Sequence, residues 1–384
     1  MSIQTVDWLA REALLILQSN MVATQLYDRR YESDFDGSEA RGDTIRIRRR
    51  DRGNAQEFNG TAINPRGLEE SKIDLTLEKH YDASFEITSK EAKLDLDSFS
   101  DQIVEPEVVS IAELVDAYAL SKINDLPNNA GVDASGVPIA FATDIGGVAQ
   151  YRKVLNNLKV PMAGRQAIWS PEADAALLSI ASFVEANKKG DNGTALAEAS
   201  LGRVLGFDHW MAQNVDETPL TAADGASALV NIPASVLPVG TTAIPVDGAN
   251  GAAVVFADRS TIQIGGINYT VNGDATMVAS AGTINILEGL KVPAADNVAV
   301  STPYAKSDNF VPRGAIFHPR AFAFVSVPLD LPPGAEAAVI SNNGYSIRVV
   351  RDYDINSKKT IVSFDVLCGS RVVHGELGAK VVEA

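Results

Sequence analysis

The fold of this chain is decided at residues 101–125, DQIVEPEVVSIAELVDAYALSKIND. Apolar residues recur there every three or four positions, and this spacing predicts a helix over 101–126. Pro106 is tolerated in a first turn, and Pro127 ends the helix. At about 1.5 Å per residue the helix is roughly 35–40 Å long, which favours an architectural role over a catalytic one. We predict that its core face holds Val104, Val108, Ile111, Leu114, Val115 and Tyr118.

Composition sets the outer limits of the interpretation. The chain has 384 residues, which is enough for two or three domains. No run of eighteen apolar residues is present, so no membrane span is expected, and the N-terminus lacks the basic region of a secretory signal. The single cysteine, Cys368, excludes an internal disulfide and a cysteine-rich metal site, as is typical of a protein of the reducing cytoplasm.

The net charge of −16 argues against a protein whose task is to bind nucleic acid. Tight nucleic-acid binding rests on phosphate neutralisation and normally requires an excess of lysine and arginine. A chain this acidic is kept in solution by its charge and repels DNA.

The N-terminal region predicts an amphipathic helix over residues 5–20. Its stripe holds Val6, Leu9, Ala13, Ile16 and Leu17. Trp8 and Leu15 lie off that stripe and form a second apolar face. This second face either packs on the chain's own body or docks on a neighbouring subunit or another partner.

The residues that follow predict a β-ribbon. Apolar and charged side chains alternate over 44–50 and 72–79, and again within ASFEIT at 83–88. About twenty residues, 51–71, separate the first two strands, and a loop this long is often a binding element. A two-stranded ribbon is marginally stable alone in water, so we expect it to need a polar, complementary partner surface.

The ribbon carries a cluster of arginines that has three possible roles. It could bind nucleic acid, but it lacks interleaved aromatic residues. It could form ion pairs between subunits, because the guanidinium fork matches a carboxylate. It could also be a solvated face without a partner. We favour the second role, which predicts inter-subunit contacts at Arg46, Arg48, Arg49, Arg50, Arg52, Asp74 and Glu78.

Between residues 218 and 308 the composition changes. Lysine and arginine almost vanish, leaving Arg259, Lys291 and Lys306, and short β-type runs alternate with glycine turns. This pattern predicts a small all-β barrel or sandwich inserted into the chain. After it, 345–352 and 360–367 alternate cleanly around Asn356, Ser357 and Lys358 and predict a hairpin.

No motif in the chain indicates catalysis, and we expect no catalytic residue, no cofactor-binding residue and no metal ligand. The four histidines are scattered without metal-ligand spacing. Gly146-Gly147 at a helix start is either an anion cradle or a plain turn. The spacing Asp352-x-Asp354-x-Asn356 is either the start of a calcium loop or a hairpin turn, and the missing glycine and glutamate favour the turn.

The order of these parts resembles the major coat proteins of short-tailed bacteriophages that carry an extra β-domain. The resemblance spans nearly the whole chain, and its specificity lies in the order of its segments. These are REALLILQSNMVATQLYDRRYESDF at 11–35, GDTIRIRRRDR at 42–52, LTLEKHYDASFEITSKEAKLDLDSFSDQIVEPEV at 75–108, GFDHWMAQNV at 206–215 and the C-terminal SIRVVRDYDINSKKTIVSFDVLCGSRVV.

The resemblance implies the α+β fold of tailed-phage major capsid proteins, the HK-type fold. It implies a division of the chain into six segments. These are an N-terminal arm at 1–35, an extended loop at 36–88, a peripheral domain at 89–145 with the spine helix 101–126, the first part of an axial domain at 146–217, an inserted β-barrel domain at 218–308, and axial and peripheral strands at 309–384.

The resemblance also implies a structural protein and not an enzyme. Members of the family form an icosahedral shell of hexamers and pentamers with the help of a scaffolding protein. They assemble in the bacterial host cytoplasm, and a motor at the portal protein fills the shell with double-stranded DNA, which they enclose without sequence-specific binding. A tail-tube protein and the shell protein of a genome-free compartment remain alternatives.

Overall fold

The structure is a computed structural model that describes residues 6–31, 44–50, 57, 70–88, 103–133, 136–185, 198–220, 228–233, 235–248, 254–277, 281–304 and 310–383. It mixes helices and sheets, so the α+β class expected from the sequence is confirmed. The helices are α1 (Val6–Asn20), α2 (Ala23–Leu26), α3 (Glu105–Ser121), α4 (Ile145–Asn157), α5 (Pro171–Leu178) and α6 (Ala181–Val184).

The strands fall into three groups along the chain. The first group is β1 (Thr44–Arg50), β2 (Glu70–Thr76), β3 (Lys79–Thr88), β4 (Asn129–Ala130), β5 (Gln166–Trp169), β6 (Arg203–Val204) and β7 (Phe207–Met211). The second is β8 (Ala228–Val230), β9 (Val236–Leu237), β10 (Ala243–Asp247), β11 (Val254–Phe256), β12 (Thr261–Ile264), β13 (Ile267–Thr270), β14 (Ala275–Met277), β15 (Gly282–Asn285), β16 (Ala294–Ala295) and β17 (Ala299–Ser301). The third is β18 (Val311–Phe317), β19 (Phe322–Val327), β20 (Glu336–Asn342), β21 (Tyr345–Asp354), β22 (Lys359–Val372) and β23 (Gly378–Glu383).

The main sheet is built on the long strand β22. It pairs with β21, β19 and β3, and β20 continues the sheet beyond β21, all antiparallel. The hairpin expected near 345–367 is therefore present, with Asp354 paired to Lys359 beside its turn. Helices α1 and α3 share one core with the sheet, to which Phe322, Phe324 and Phe364 contribute.

Helix α3 is shorter than the sequence predicts. Its regular part covers Glu105–Ser121, a short 3₁₀ turn follows at Lys122–Asp125, and residues 101–102 lie outside the described part. At about 1.5 Å per residue the regular part is roughly 25 Å long. Five of the six expected core residues are buried, namely Val104, Val108, Ile111, Val115 and Tyr118.

The sixth expected core residue of α3, Leu114, does not lie in the core. Its side chain is 49% exposed, so that part of the prediction is wrong. Leu114 directly precedes Val115, and one residue along a helix is a rotation of about 100°. Leu114 therefore lies at the edge of the stripe that Val115 centres, beside the exposed Glu113.

Helix α1 lies along α3 and the main sheet, and its buried face holds Leu9, Ala13 and Leu17. At its end the buried carboxylate of Asp116 accepts hydrogen bonds from the Val22 and Ala23 amides at 3.1 and 2.9 Å. Those amides begin the short helix α2, so a side chain of α3 satisfies donors that the helix start leaves free.

A second sheet has the order β4-β23-β18-β5-β7-β6 and carries α4 and α5. Its core is aromatic and contains Phe141, Tyr151, Trp169, Phe183 and Phe207. The chain after β5 forms two short helices, α5 and α6, and not one continuous helix. The chain turns between them because Ile180 adopts an extended backbone conformation and is buried.

The strands between 228 and 301 form a β unit with a core of its own. Six of them have the order β13-β12-β17-β8-β10-β15. Val271 bridges to Ile286, and the Asn272 amide donates to the Asn285 carbonyl at 2.9 Å, which joins the two edges. Within its described residues the sheet therefore closes on itself between β13 and β15, as in a barrel. We call residues 228–301 the inserted unit; its interior holds Ile244, Phe256, Ile262, Tyr269 and Ile284.

Candidate functional site

The ribbon β1–β2 has one apolar face, and the chain's own body covers it. Ile47, Ile73 and Leu75 pack against Ala323 and Val325 of the main sheet. The surface that supports the apolar side of the ribbon therefore comes from its own chain, and the polar, complementary partner expected for its charged side stays a prediction. Pattern reasoning finds the apolar face of a strand but not the surface that covers it. The tip of the ribbon, apart from residue 57, lies outside the described residues.

The outer face of the ribbon is charged and exposed. Arg46 lies 3.4 Å from Asp74 of the facing strand, so these two residues pair within one chain. An exposed pair of this kind contributes little to stability. Arg48 faces Lys72 directly across the ladder, and both are exposed. Like charges at opposed positions of a β-ladder repel, so this face is suited to receive an acidic surface.

Arg49 is the exception among the arginines. Its side chain is only 2% exposed, and its guanidinium donates to Glu288 Oε2 at 2.9 Å and to the Val373 carbonyl at 3.4 Å. The prediction of an inter-subunit contact at Arg49 is therefore wrong. Alternate residues of a strand share a face, so Arg49 lies on the covered side with Ile47. The side chain of Arg50 and the whole of Arg52 lie outside the described residues.

Arg49 belongs to a buried ionic junction that also contains Glu288, Lys291 and Glu376. Lys291 Nζ lies 2.9 Å from Glu288 Oε2 and 3.1 Å from Glu376 Oε2. The other oxygen of Glu288 accepts the Gly375 amide at 3.1 Å. Burial by itself raises the pKa of Glu288, but the charges of Lys291 and Arg49 outweigh it and hold that pKa below its usual range.

A second polar junction joins the inserted unit to the end of α3. Lys380 Nζ donates to the carbonyls of Asn124 and Arg259 at 3.2 and 3.1 Å. Arg259 Nη1 in turn donates to the Ser121 carbonyl at 3.0 Å and lies 3.4 Å from Asp125. Burial raises the pKa of Asp125 even though Arg259 opposes it. The inserted unit thus contacts the body at both polar junctions.

Glu78 also has partners within its own chain. Tyr118 of α3 donates its hydroxyl to Glu78 Oε2 at 3.1 Å, and Lys122 Nζ lies 3.6 Å from the same oxygen. Glu78 stands between β2 and β3, where the ribbon returns to the main sheet. These contacts within the chain account for the position of Glu78. Its contact with a neighbouring subunit stays a prediction.

Large apolar side chains remain exposed on the helices. Leu15 on α1 is 61% exposed and Trp8 is 39% exposed, as expected for residues off the buried stripe. They lie seven residues apart, which places them on one side of α1. Together with Leu114 they leave apolar surface on the two helices that the described part of the chain does not cover.

The structure decides two alternatives that the motifs left open. The carboxylate of Asp144 accepts the Gly147 amide at 2.7 Å, so a side chain of the protein occupies the place of an anion at this helix start. Asp354 accepts the Asn356 amide at 2.9 Å and the Ser357 hydroxyl at 2.6 Å, which is the hydrogen bonding of a hairpin turn.

Side chains that could bind a metal ion are scattered over the described residues. No group of three histidine, cysteine or acidic side chains among them is placed to hold a metal ion. A cleft of about 390 Å³ beside β7 contains His209, but Trp169 Nε1 donates to its Nδ1 at 2.9 Å. Within the same residues no helix is long and apolar enough to cross a membrane.

The fold is similar to that of chains in solved phage structures. A chain of Mycobacterium phage Che8 has a TM-score of 0.52 at 13% identity, over 94% of this chain and 90% of the other. A chain of the capsid of cyanophage P-SCSP1u has a TM-score of 0.47 at 11% identity, over 90% and 84%. A chain of the mature capsid of bacteriophage PhiM1 has a TM-score of 0.46 at 13% identity, over 90% and 83%.

No family model matches the sequence, and no curated protein sequence matches it. At identities this low the likeness to the Che8 chain shows the fold. It extends over nearly the whole of both chains. The expected resemblance to a phage protein is thus confirmed at the level of fold.

Proposed function

We propose that this protein is the major capsid protein of a tailed phage, a structural protein and not an enzyme. The observation that carries the proposal is the fold likeness to a phage chain over 94% of this chain. The charge supports it, because a shell with a net charge of −16 per subunit confines DNA without adhering to it. The six segments given in the sequence analysis, from the arm at 1–35 to the strands at 309–384, belong to this proposal.

In this proposal the chain assembles with copies of itself into an icosahedral shell of hexamers and pentamers. A scaffolding protein directs assembly in the bacterial host cytoplasm, and a portal protein occupies one vertex. The finished virion capsid encloses double-stranded DNA and reads no sequence. The exposed apolar side chains of α1 and α3, Trp8, Leu15 and Leu114, are candidate contacts with other subunits or with the scaffold.

The outer face of the ribbon is the polar contact in this proposal. Arg46, Arg48 and Lys72 place three cations on a narrow exposed strip, where Asp74 balances only one of them. In a chain with 49 acidic residues against 33 basic ones, the acidic surface of a second copy is a ready partner for this strip. Arg50 and Arg52 extend the strip in sequence.

Negative-stain electron microscopy with sedimentation velocity tests the proposed function. The chain is expressed alone and together with a scaffolding protein. Closed shells in either arm support a capsid protein. Closed shells that stay empty of DNA in a host that carries the phage packaging motor favour a genome-free compartment. Tubes favour a tail-tube protein. A monomer that never assembles in either arm contradicts the proposal.

The ribbon contact has a test of its own. Arg48→Glu reverses one exposed cation of the strip and is expected to leave a folded monomer that assembles poorly. Lys153→Glu makes the same charge change at an exposed position of α4 and serves as the matched control. Normal shells from Arg48→Glu would remove the role given to this face.

A filter-binding assay tests the relation to DNA. We expect negligible affinity of the isolated subunit for double-stranded DNA, without a salt dependence. Strong binding that weakens with salt would indicate phosphate neutralisation and would count against the charge argument.

A further inference from the structure

The junction around Arg49 connects three segments that are distant in sequence. Arg49 lies on β1, Glu288 and Lys291 lie in the inserted unit, and Glu376 lies in a 3₁₀ turn before β23. Arg49 and Glu288 are 239 residues apart, and their side-chain atoms approach to 2.9 Å. The inserted unit therefore touches the ribbon of its own chain through a charged contact.

The other end of the ribbon is fixed by close packing. Gly369 of β22 lies under the ribbon where β2 ends, and a Cβ on this glycine would lie 2.4 Å from the Thr76 carbonyl oxygen. Tyr118 and Glu78 add a hydrogen bond at 3.1 Å nearby. On β1, Arg49 makes a polar contact with the body, and Ile47 packs in the apolar cluster under the ribbon.

The charges of the junction balance, and three of the four are out of solvent, whereas Glu376 is 41% exposed. Two cations, Arg49 and Lys291, face two carboxylates, and both cations and Glu288 have side chains no more than 9% exposed. Removing the carboxylate of Glu288 leaves these two buried cations facing one carboxylate, that of Glu376. Breaking a buried pair in this way costs far more than breaking an exposed one such as that between Arg46 and Asp74.

We propose that the inserted unit is an intramolecular lock on the ribbon. Its carboxylate Glu288 holds Arg49 and so keeps the apolar face of β1 and β2 docked on the main sheet. When this contact opens, the ribbon leaves the body while the main sheet stays folded. The inference concerns the single chain, so it goes beyond the proposed function and does not depend on it.

Thiol labelling tests the lock, because the docked face of the ribbon is buried. Ile73→Cys introduces a thiol that is covered only while the ribbon is docked. The native Cys368 is fully buried in the main sheet, and burial raises its pKa to about 12, so its labelling reports global unfolding. Mass spectrometry distinguishes the two thiols on one chain.

Glu288→Gln is then added to the Ile73→Cys chain, and Asp247→Asn is the matched control. Asp247 lies on β10 of the same inserted unit and is not a member of the ion pairs that define the junction. With Glu288→Gln the ribbon thiol is expected to react about tenfold faster or more, while the rate at Cys368 stays unchanged. With Asp247→Asn both rates are expected to stay as they were.

Equal ribbon labelling with Glu288→Gln and with Asp247→Asn would overturn the lock. So would a parallel rise at Cys368, because it would show a general loss of stability and not a local release. If Glu288→Gln does not fold, Arg49→Lys in the Ile73→Cys chain tests the lock instead. It keeps the charge but loses the guanidinium fork, so ribbon labelling is expected to rise without a change at Cys368. Unchanged labelling in that variant would also overturn the proposal.

Discussion

Lys380→Met changes the pH dependence of stability in a direction that the structure fixes. Lys380 is fully enclosed between the end of α3, the inserted unit and β23, and its ammonium group donates to two backbone carbonyls. Burial lowers its pKa from the ordinary 10.5 to about 8, and the charge of Asp125 only partly opposes that shift. The native state therefore favours the neutral amine more than the unfolded state does.

The sign of the effect follows from linkage. Because the folded-state pKa lies below the unfolded-state value, the unfolded chain binds more protons between pH 8 and pH 10.5, and stability rises with pH across that window. Each pKa unit corresponds to about 1.4 kcal/mol, so the full contribution is about 3.5 kcal/mol. About 1.4 kcal/mol of it is gained by pH 9 and about 2.5 kcal/mol by pH 10.

Urea denaturation of the monomer at pH 7, 8, 9 and 10 measures this contribution. At pH 7 Lys380→Met loses the burial cost of the charge but leaves the carbonyls of Asn124 and Arg259 without their donor, at about 1–3 kcal/mol each, so the two effects nearly offset. From pH 7 to pH 10 the wild-type chain should gain about 2.5 kcal/mol relative to the variant. Parallel curves, or a relative loss by the wild type, would refute the assignment of a buried charged amine.

Three further substitutions test the packing, each by chemical denaturation of the monomer. Gly369→Ala should cost more than about 2 kcal/mol, since its Cβ would lie 2.4 Å from the Thr76 carbonyl oxygen; a neutral result would contradict the close approach of the ribbon. Asp116→Ala should cost about 2–3 kcal/mol because two amides at the start of α2 lose their acceptor, and Asp116→Asn, which keeps an acceptor oxygen, should recover much of it. Leu114→Asp should change stability by no more than about 0.5 kcal/mol, because the side chain is 49% exposed, and a large loss would return Leu114 to the core.

The elements that depend on local pattern could be read from the sequence. Period and turn chemistry are local properties, so α1, α3, the strands of the ribbon, the C-terminal hairpin and the β-rich segment between 218 and 308 follow from them. The spacing predicts the long helix correctly, yet it wrongly places Leu114 in the core. A hydrophobic residue at the edge of a buried stripe has nearly the same spacing as one inside it. The sequence thus predicts the presence of helices and strands more reliably than it predicts whether a single side chain is buried.

The junctions could not be predicted, because their partners are set by tertiary structure. Arg49 meets Glu288 across 239 residues, and Lys380 meets the Asn124 carbonyl across 256. Alternation predicts that Arg49 shares a face with Ile47, but it gives no hint that Glu288 of the inserted unit contacts Arg49 on that face. A run of five arginines suggested one shared role, whereas the pleat of the strand divides the described ones between solvent and interior.

The few lysine and arginine residues between 218 and 308 nevertheless indicate where the inserted unit attaches to the body. Between residues 218 and 308 only three cations remain, and the two that the structure describes, Arg259 and Lys291, both face the body of the chain. This segment has almost no lysine or arginine. The two described ones lie beside Asp125 and Glu376, which are carboxylates of other segments. Isolated cations in such a segment therefore predict its attachment points. Replacing Arg259 and Lys291 together by methionine is expected to make the inserted unit more sensitive to proteolysis, because both cations contact carboxylates of other segments. Unchanged protection of the unit would contradict the use of isolated cations to locate its attachment points.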